Sequence, residues 1–245
     1  MRHVPPKIAV LSGNALKLIA ALSMLIDHIG VILFPGVIFL RVLGRIAFPI
    51  FAFMIAEGCR YTRHRVRYFC TLLGLGAACQ LGLWAYDGAA KLNVLLTFAL
   101  SVLLVYALEA LKQAVAQESP RVGALILGFL PLCLVLSGAI VLTLFVPIEY
   151  GVAGAMLPMF AASTHPVKED ENTRFRTPLT AVLLTGVGML VLSACMGGVQ
   201  WFCLLALPLL LLYSGKRGKW RMKYFFYIFY PVHILILQGL ALLLG

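Results

Sequence analysis

The sequence predicts an all-α integral membrane protein, a bundle of about eight or nine transmembrane helices with its N-terminus in the cytoplasm. Three observations carry that prediction. Of the 245 residues, 62% are apolar or aromatic and only 12% are charged, with a mean hydropathy of +0.99. A water-facing shell needs about a quarter of the residues charged, so this surface is solvated by lipid. The apolar residues also fall into runs close to the roughly 20 residues that cross a hydrocarbon core. Finally, Lys and Arg sit between the runs in short groups, such as Arg60, Arg63, Arg65, Arg67 and Lys216, Arg217, Lys219, Arg221, Lys223.

The first span lies near 15–34. It follows a basic start, carries Asp27-His28 inside the apolar run and is followed by no small-residue cleavage pattern, so it reads as a retained helix. After Pro35-Gly36 the second span lies near 43–60 and the third near 66–86. On the third, Gly74, Ala78 and Gly82 repeat at i+4, the spacing of a close-packing stripe. The remaining spans lie near 93–112, 122–146, 151–164, 178–196, 199–214 and 224–244. The sixth is the weak one. Val152 to Thr164 makes roughly 20 Å of helix, short of the hydrocarbon thickness, so a crossing and a re-entrant segment both remain open. Residues 1–245 read as a single polytopic membrane domain without an internal repeat, and the longest polar stretch, 165–176, reads as a loop.

Nine crossings starting from a cytoplasmic N-terminus put all 20 Lys and Arg residues except Arg41, Arg45 and Lys91 on the cytoplasmic side, which is the asymmetry of the positive-inside rule. The net charge of +11 is thus a topology signal, and nucleic acid is not an expected partner. The six cysteines form no C-x-x-C pair and fall in or beside apolar runs, so neither a disulfide framework nor a metal site is expected.

Ionisable groups inside spans mark function, because each costs about 2.5–3.5 kcal/mol to insert and needs a partner or a role. Asp27 and His28 lie about 3–5 Å from the centre of the first span, His233 at the centre of the last and Glu57 about 7 Å from the centre of the second. Adjacent residues point about 100° apart, so Asp27 and His28 face different helices. Arg45, His233 or a tyrosine are the open partners for Asp27. Interhelical ties would satisfy these groups without chemistry, and that reading stays open beside a catalytic one. Arg41 and Arg45 are spaced i, i+4, which favours a shared anion or carboxylate, with interface anchoring as the other reading. Glu57 has Arg60 one turn on as a tie. The tail from Lys223 through His233 packs six aromatics into seven positions on the membrane side of a basic cytoplasmic loop. There Tyr224 and Tyr227 read as an interfacial belt, while Tyr230 and Pro231 lie deeper beside His233. Glu149-Tyr150-Gly151 reads either as a turn or as part of an outer mouth.

These residues resemble the TraX family of membrane proteins. The opening block is similar in Leu16-Lys17-Leu18-Ile19 and Met24-Leu25-Ile26-Asp27-His28-Ile29-Gly30. The second block resembles Arg41, then Gly44-Arg45-Ile46-Ala47-Phe48-Pro49-Ile50-Phe51-Ala52-Phe53 and Glu57-Gly58. The ending is similar in Gln200-Trp201-Phe202, the Leu-rich run with Tyr213, and Lys223 through His233. The resemblance implies a membrane-embedded acetyltransferase of the bacterial cytoplasmic (inner) membrane, drawing on acetyl-CoA. Its acceptor is an amine or hydroxyl of a pilin, another peptide, a glycan or a lipid. A looser similarity to multi-span acyltransferases with a histidine in an early helix points to the same reaction. On that reading His28 is the first choice of base and His233 the second, with Asp27 fixing a tautomer or pairing with Arg45. Arg41, Arg45, Glu57, Tyr150, Tyr230 and Lys223 are expected to bind substrate or acetyl-CoA. The competing expectations are a proton-coupled transporter or lipid flippase, since midplane Asp, His and Glu also serve transport, and a non-enzymatic assembly factor for a surface structure.

Overall fold

A computed structural model of the chain describes residues 9–88, 90–117, 121–167, 179–219 and 222–244, without the side chains of Asp87 and Lys223. Most of the 165–176 loop expected from the sequence lies outside the described residues. Among the described residues the regular structure is helical apart from two isolated bridges, Leu11 with Tyr213 and Leu92 with Ile148. Seven helical stretches there are long and apolar enough to cross a membrane: Gly13–Ile32, Ile38–Tyr61, Arg65–Tyr86, Val94–Val115, Val122–Phe145, Leu179–Met196 and Tyr224–Leu244. Two shorter apolar helices, Gly151–Ala162 and Gly198–Leu211, accompany them. The chain is a multi-pass helical membrane protein.

The contacts divide it into two compact units, Met1–Phe51 with Asn172–Gly245, and Ala52–Glu171. The first unit opens with α1 (Gly13–Ile32), whose N-cap Ser12 accepts the Ala15 N–H at 3.2 Å. The Gly13 and Asn14 N–H groups donate to the Lys216 and Arg217 carbonyls, at 2.8 and 3.0 Å, so a distant loop satisfies the helix start. Gly13, Leu16, Ala20, Ser23, Asp27 and Gly30 are buried along α1 at alternating three- and four-residue steps, one stripe of a helix. That stripe meets α2 (Ile38–Gly44). The break after α2 has a local cause. Pro49, in the first turn of α3 (Ala47–Tyr61), lacks an N–H, and its ring excludes the carbonyl four residues back, that of Arg45. The second span is therefore two helices meeting at Arg45-Ile46. The unit is completed by α8 (Leu179–Met196), a 3₁₀ segment Gly198–Leu205, α9 (Ala206–Leu211) and α10 (Lys223–Leu244), with α10 against α1.

In the second unit α5 (Val94–Val115) packs against α4 (Arg65–Asp87), α6 (Val122–Phe145) and α7 (Gly151–Ala162). It buries Thr97, Phe98, Ser101, Val102, Leu104 and Val105. Asn93 caps it. Its side-chain oxygen accepts the Leu95 and Leu96 N–H groups at 3.0 and 3.4 Å, and its amide donates to the Gly76 carbonyl at 2.8 Å and to Gln80 Oε1 at 3.0 Å. This buried amide pair sets the rotation of α4 and overturns the expected stripe. Gly74, Ala78 and Gly82 are exposed, and a Cβ at Gly74 or Gly82 would meet nothing within 4 Å among the described residues. The packed face carries Leu72, Gly76 and Gln80, and a Cβ at Gly76 would come within 2.9 Å of Leu96. Two positions turn a helix about 200°, so seating Gln80 on Asn93 puts the small-residue stripe on the far side. By contrast α6 exposes Ile126, Leu127, Leu130, Leu134, Val141 and Leu144, apolar residues that meet lipid.

Candidate functional site

The first unit's polar residues gather where α1, α2, the 3₁₀ segment and α10 approach. Ser23 Oγ donates to the Leu43 carbonyl at 2.6 Å, with the Gly44 carbonyl 3.2 Å away. These are end-of-helix carbonyls of α2 that lack intrahelical donors. Two glycines permit the approach: a Cβ at Gly30 would lie 2.8 Å from the Leu40 Cβ, and a Cβ at Gly44 would fall onto the Asp27 carboxylate. Asp27 therefore reaches past Gly44 to the arginines on either side of it. Arg45 Nη2 donates to Oδ1 and Oδ2, each at 2.6 Å, and Arg41 Nη1 donates to Oδ2 at 3.0 Å. The i, i+4 arginines share one carboxylate. Arg45 Nη1 also reaches Gln200 Oε1 at 3.3 Å. Two cations against one anion leave a net positive charge here, and the Arg41 side chain, 29% exposed against 8% for Arg45, is its accessible end.

One residue on, His28 points to α10. Its Nδ1 lies 3.1 Å from His233 Nε2, with ring centroids 4.9 Å apart. The neighbouring acceptors assign the tautomers of the neutral pair. His233 Nδ1 is 2.7 Å from the Phe229 carbonyl, which can only accept, so Nδ1 carries the proton and Nε2 the lone pair. His28 Nδ1 faces that lone pair and, at 2.9 Å, the Met24 carbonyl, so it carries the other proton. The lone pair of His28 is left on Nε2. Phe229 stacks on the His233 ring at 4.8 Å and 12°, Phe225 stacks on Phe229, and Tyr230 meets His233 edge-on at 6.0 Å. His233 and Tyr230 are buried, whereas His28 is half-buried. Such a pair can take a proton at His28 Nε2 and spread the resulting charge through the shared hydrogen bond to His233.

Asp27, His28, Arg41, Arg45, Tyr230 and His233 thus belong to one unit. Lys223 begins α10, and its side chain lies outside the described residues. Glu57 and Tyr150 belong to the second unit. Glu57 is buried, 3.9 Å from Arg60 Nη1 and 3.6 Å from His165 Nε2. Tyr150 is the N-cap of α7 with φ +62°, a left-handed backbone uncommon for a bulky residue. The sequence reasoning missed Ser23, Gly44 and Phe229. The spacing Ser23, Asp27, Gly30 was a readable signal for the first, being one face of one helix. His165 was counted only as the edge of a loop, and nothing in its neighbourhood distinguishes it.

A family model described as TraX protein matches residues 12–241. The chain is 28% identical to the "Probable fimbrial assembly protein FimC, serogroup H1" of Dichelobacter nodosus, over 92% of this chain and 94% of that protein. A 40-residue stretch, 16% of each chain, is 50% identical to an uncharacterised protein of Rickettsia prowazekii (strain Madrid E). No solved structure matches the chain. With the family pattern running from the cap of α1 into the last turns of α10, across both the Asp27 and the His28 constellations, the chain belongs to the TraX family.

Proposed function

We propose that this protein is an acetyltransferase of the bacterial inner membrane, moving an acetyl group from cytoplasmic acetyl-CoA to an amine or hydroxyl of a surface-fibre subunit. The observation that carries the reading is the His28–His233 pair, whose lone pair on His28 Nε2 makes no hydrogen bond among the described residues, one residue along α1 from the Asp27 that holds Arg41 and Arg45. The acceptor proton passes to His28 Nε2 as the amine or hydroxyl attacks the thioester carbonyl. Negative charge then develops on the carbonyl oxygen, and on this reading its stabilising donor is Arg41, the more exposed of the two arginines. Collapse expels the CoA thiolate, which takes the proton and leaves as the thiol. The TraX resemblance and the fimbrial-assembly description of the Dichelobacter nodosus relative support a pilus-type peptide acceptor over a glycan or lipid.

The decisive experiment measures CoA release and acceptor labelling by the purified, detergent-solubilised protein with labelled acetyl-CoA and a pilin-type peptide. His28→Asn is expected to lower turnover by roughly 100-fold or more, the contribution of a general base, and His233→Asn by less, because it acts through His28. Turnover unchanged in both variants overturns the reading. The description of the Dichelobacter nodosus relative names assembly alone and favours one second reading, a non-enzymatic assembly factor. That protein would bind the subunit and release no CoA.

A further inference from the structure

In the second unit the ends of α3, α5 and α7 and the start of α4 surround a cavity of about 130 Å³. At roughly 30 Å³ per water, that volume takes a phosphoryl group rather than a whole nucleotide. Arg60, Arg65, Glu109, Lys112, Gln113 and His165 line it. Three carry basic groups, the two guanidinium groups and the Lys112 amine, and one is a carboxylate. Arg65 Nη2 holds Glu109 at 2.7 Å from a side chain that is 49% exposed. Lys112 Nζ donates to the Ala162 and His165 carbonyls at 2.9 and 2.6 Å, closing the end of α7 and leaving a third N–H. Glu57 stands behind them, 3.9 Å from Arg60 and 3.6 Å from His165.

The second observation is His165 itself. It is only 6% exposed, yet neither ring nitrogen makes a hydrogen bond, and the Glu57 contact at 3.6 Å is longer than one. Buried polar atoms are nearly always hydrogen-bonded, so an imidazole in this condition on the wall of a cation-lined cavity points to a ligand that supplies the partner. An anion bound there would accept from His165, Lys112 and Arg65.

We propose that this cavity binds a phosphoryl group through Arg60, Arg65, Lys112 and His165. Two ligands carry that chemistry, the phosphates of CoA and the headgroup of an anionic phospholipid. The choice of CoA rests on the acetyltransferase reading, and the phosphoryl site does not. By the positive-inside rule Arg60 and Arg65 belong to a cytoplasmic connection, where both ligands are present.

The test is calorimetric titration of the full chain in neutral-lipid nanodiscs with pyrophosphate, CoA and phosphate-free pantetheine. Nanodiscs doped with phosphatidylglycerol report whether the lipid competes. Arg65→Gln with Glu109→Gln removes a cation together with its partner, and His165→Asn is a second, smaller change whose melting curve checks the fold. Arg63→Gln, outside the lining, is the control. Pyrophosphate and CoA are expected to bind the wild type and to compete with each other, while pantetheine does not bind. Both site variants are expected to bind roughly 10- to 100-fold more weakly, with Arg63→Gln unchanged. Failure of every phosphate-bearing probe to bind the wild type, or undiminished binding by both site variants, overturns the site. Competition by phosphatidylglycerol for a pyrophosphate site that CoA does not enter would uphold the site and sink the acetyl-CoA reading. Wild-type CoA affinity and turnover in both site variants, with His28→Asn inactive, would sink the site and leave that reading standing.

Discussion

Asp27 accepts hydrogen bonds from two arginines that differ in exposure, and substitutions around it should differ accordingly. Asp27→Asn leaves Arg45 buried without its counter-charge and should cost about 3 kcal/mol, whereas Arg41→Gln removes the more exposed partner and should cost about 1 kcal/mol or less. Unfolding in mixed detergent micelles measures both, and equal losses would mean that Arg45 is not the buried anchor. Gly44 has no side chain, and that lack decides whether the carboxylate can pass. Gly44→Ala should destabilise by about 1–3 kcal/mol through overpacking and, on the proposed acetyltransferase reading, abolish CoA release with it. Gly36→Ala is the matched control, since a Cβ there meets nothing within 4 Å. Loss of activity in both would reveal a general sensitivity rather than this contact.

Among the elements, α4 tests whether its rotation is read correctly. Its inner face is set by Gln80, whose Oε1 accepts from the Asn93 amide while Asn93 caps α5. Asn93→Ala loses the cap and the side-chain bonds to Gln80 and the Gly76 carbonyl, while the backbone N–H of residue 93 still serves Gln80 Oε1, an expected cost of about 1–2 kcal/mol by thermal unfolding. Gly76→Ala should also destabilise, because its Cβ would meet Leu96. Gly82→Ala on the lipid side should be neutral, or stabilising by up to about 1 kcal/mol from helix propensity. The opposite order for the two glycines would restore the stripe that the small-residue spacing suggested. Likewise Pro49 breaks the second span and sets Arg45 at the join. Arg45 closes the last turn of α2, its N–H on the Arg41 carbonyl at 3.2 Å, which keeps the two arginines one turn apart.

For the molecule as a whole, the placement of basic residues makes a topological prediction. With the N-terminus in the cytoplasm, a cysteine introduced at Arg63, between α3 and α4, should react with a membrane-impermeant maleimide only in inverted vesicles. One introduced at Gly36, between α1 and α2, should react only in intact spheroplasts. The six native cysteines are free and need replacing first. Reversed labelling would invert the sidedness of both the His28 site and the second unit's cavity.

Composition and charge spacing determined by themselves that this is a helical membrane protein, because lipid solvation needs apolar residues in runs and every run must satisfy its own backbone. The residues around Asp27-His28, Gly44-Arg45 and His233 also sufficed to indicate the TraX family. The helical period told that Asp27 and His28 face different neighbours, but it gives a direction only on a residue's own helix. Which helix stands opposite is a matter of packing between segments far apart in the chain. Only the tertiary structure decided that Asp27 takes Arg41 and Arg45 while His28 takes His233, 205 residues away. The same limit hid the polar end of the second unit, where Glu57 and His165 meet across a long stretch of intervening chain.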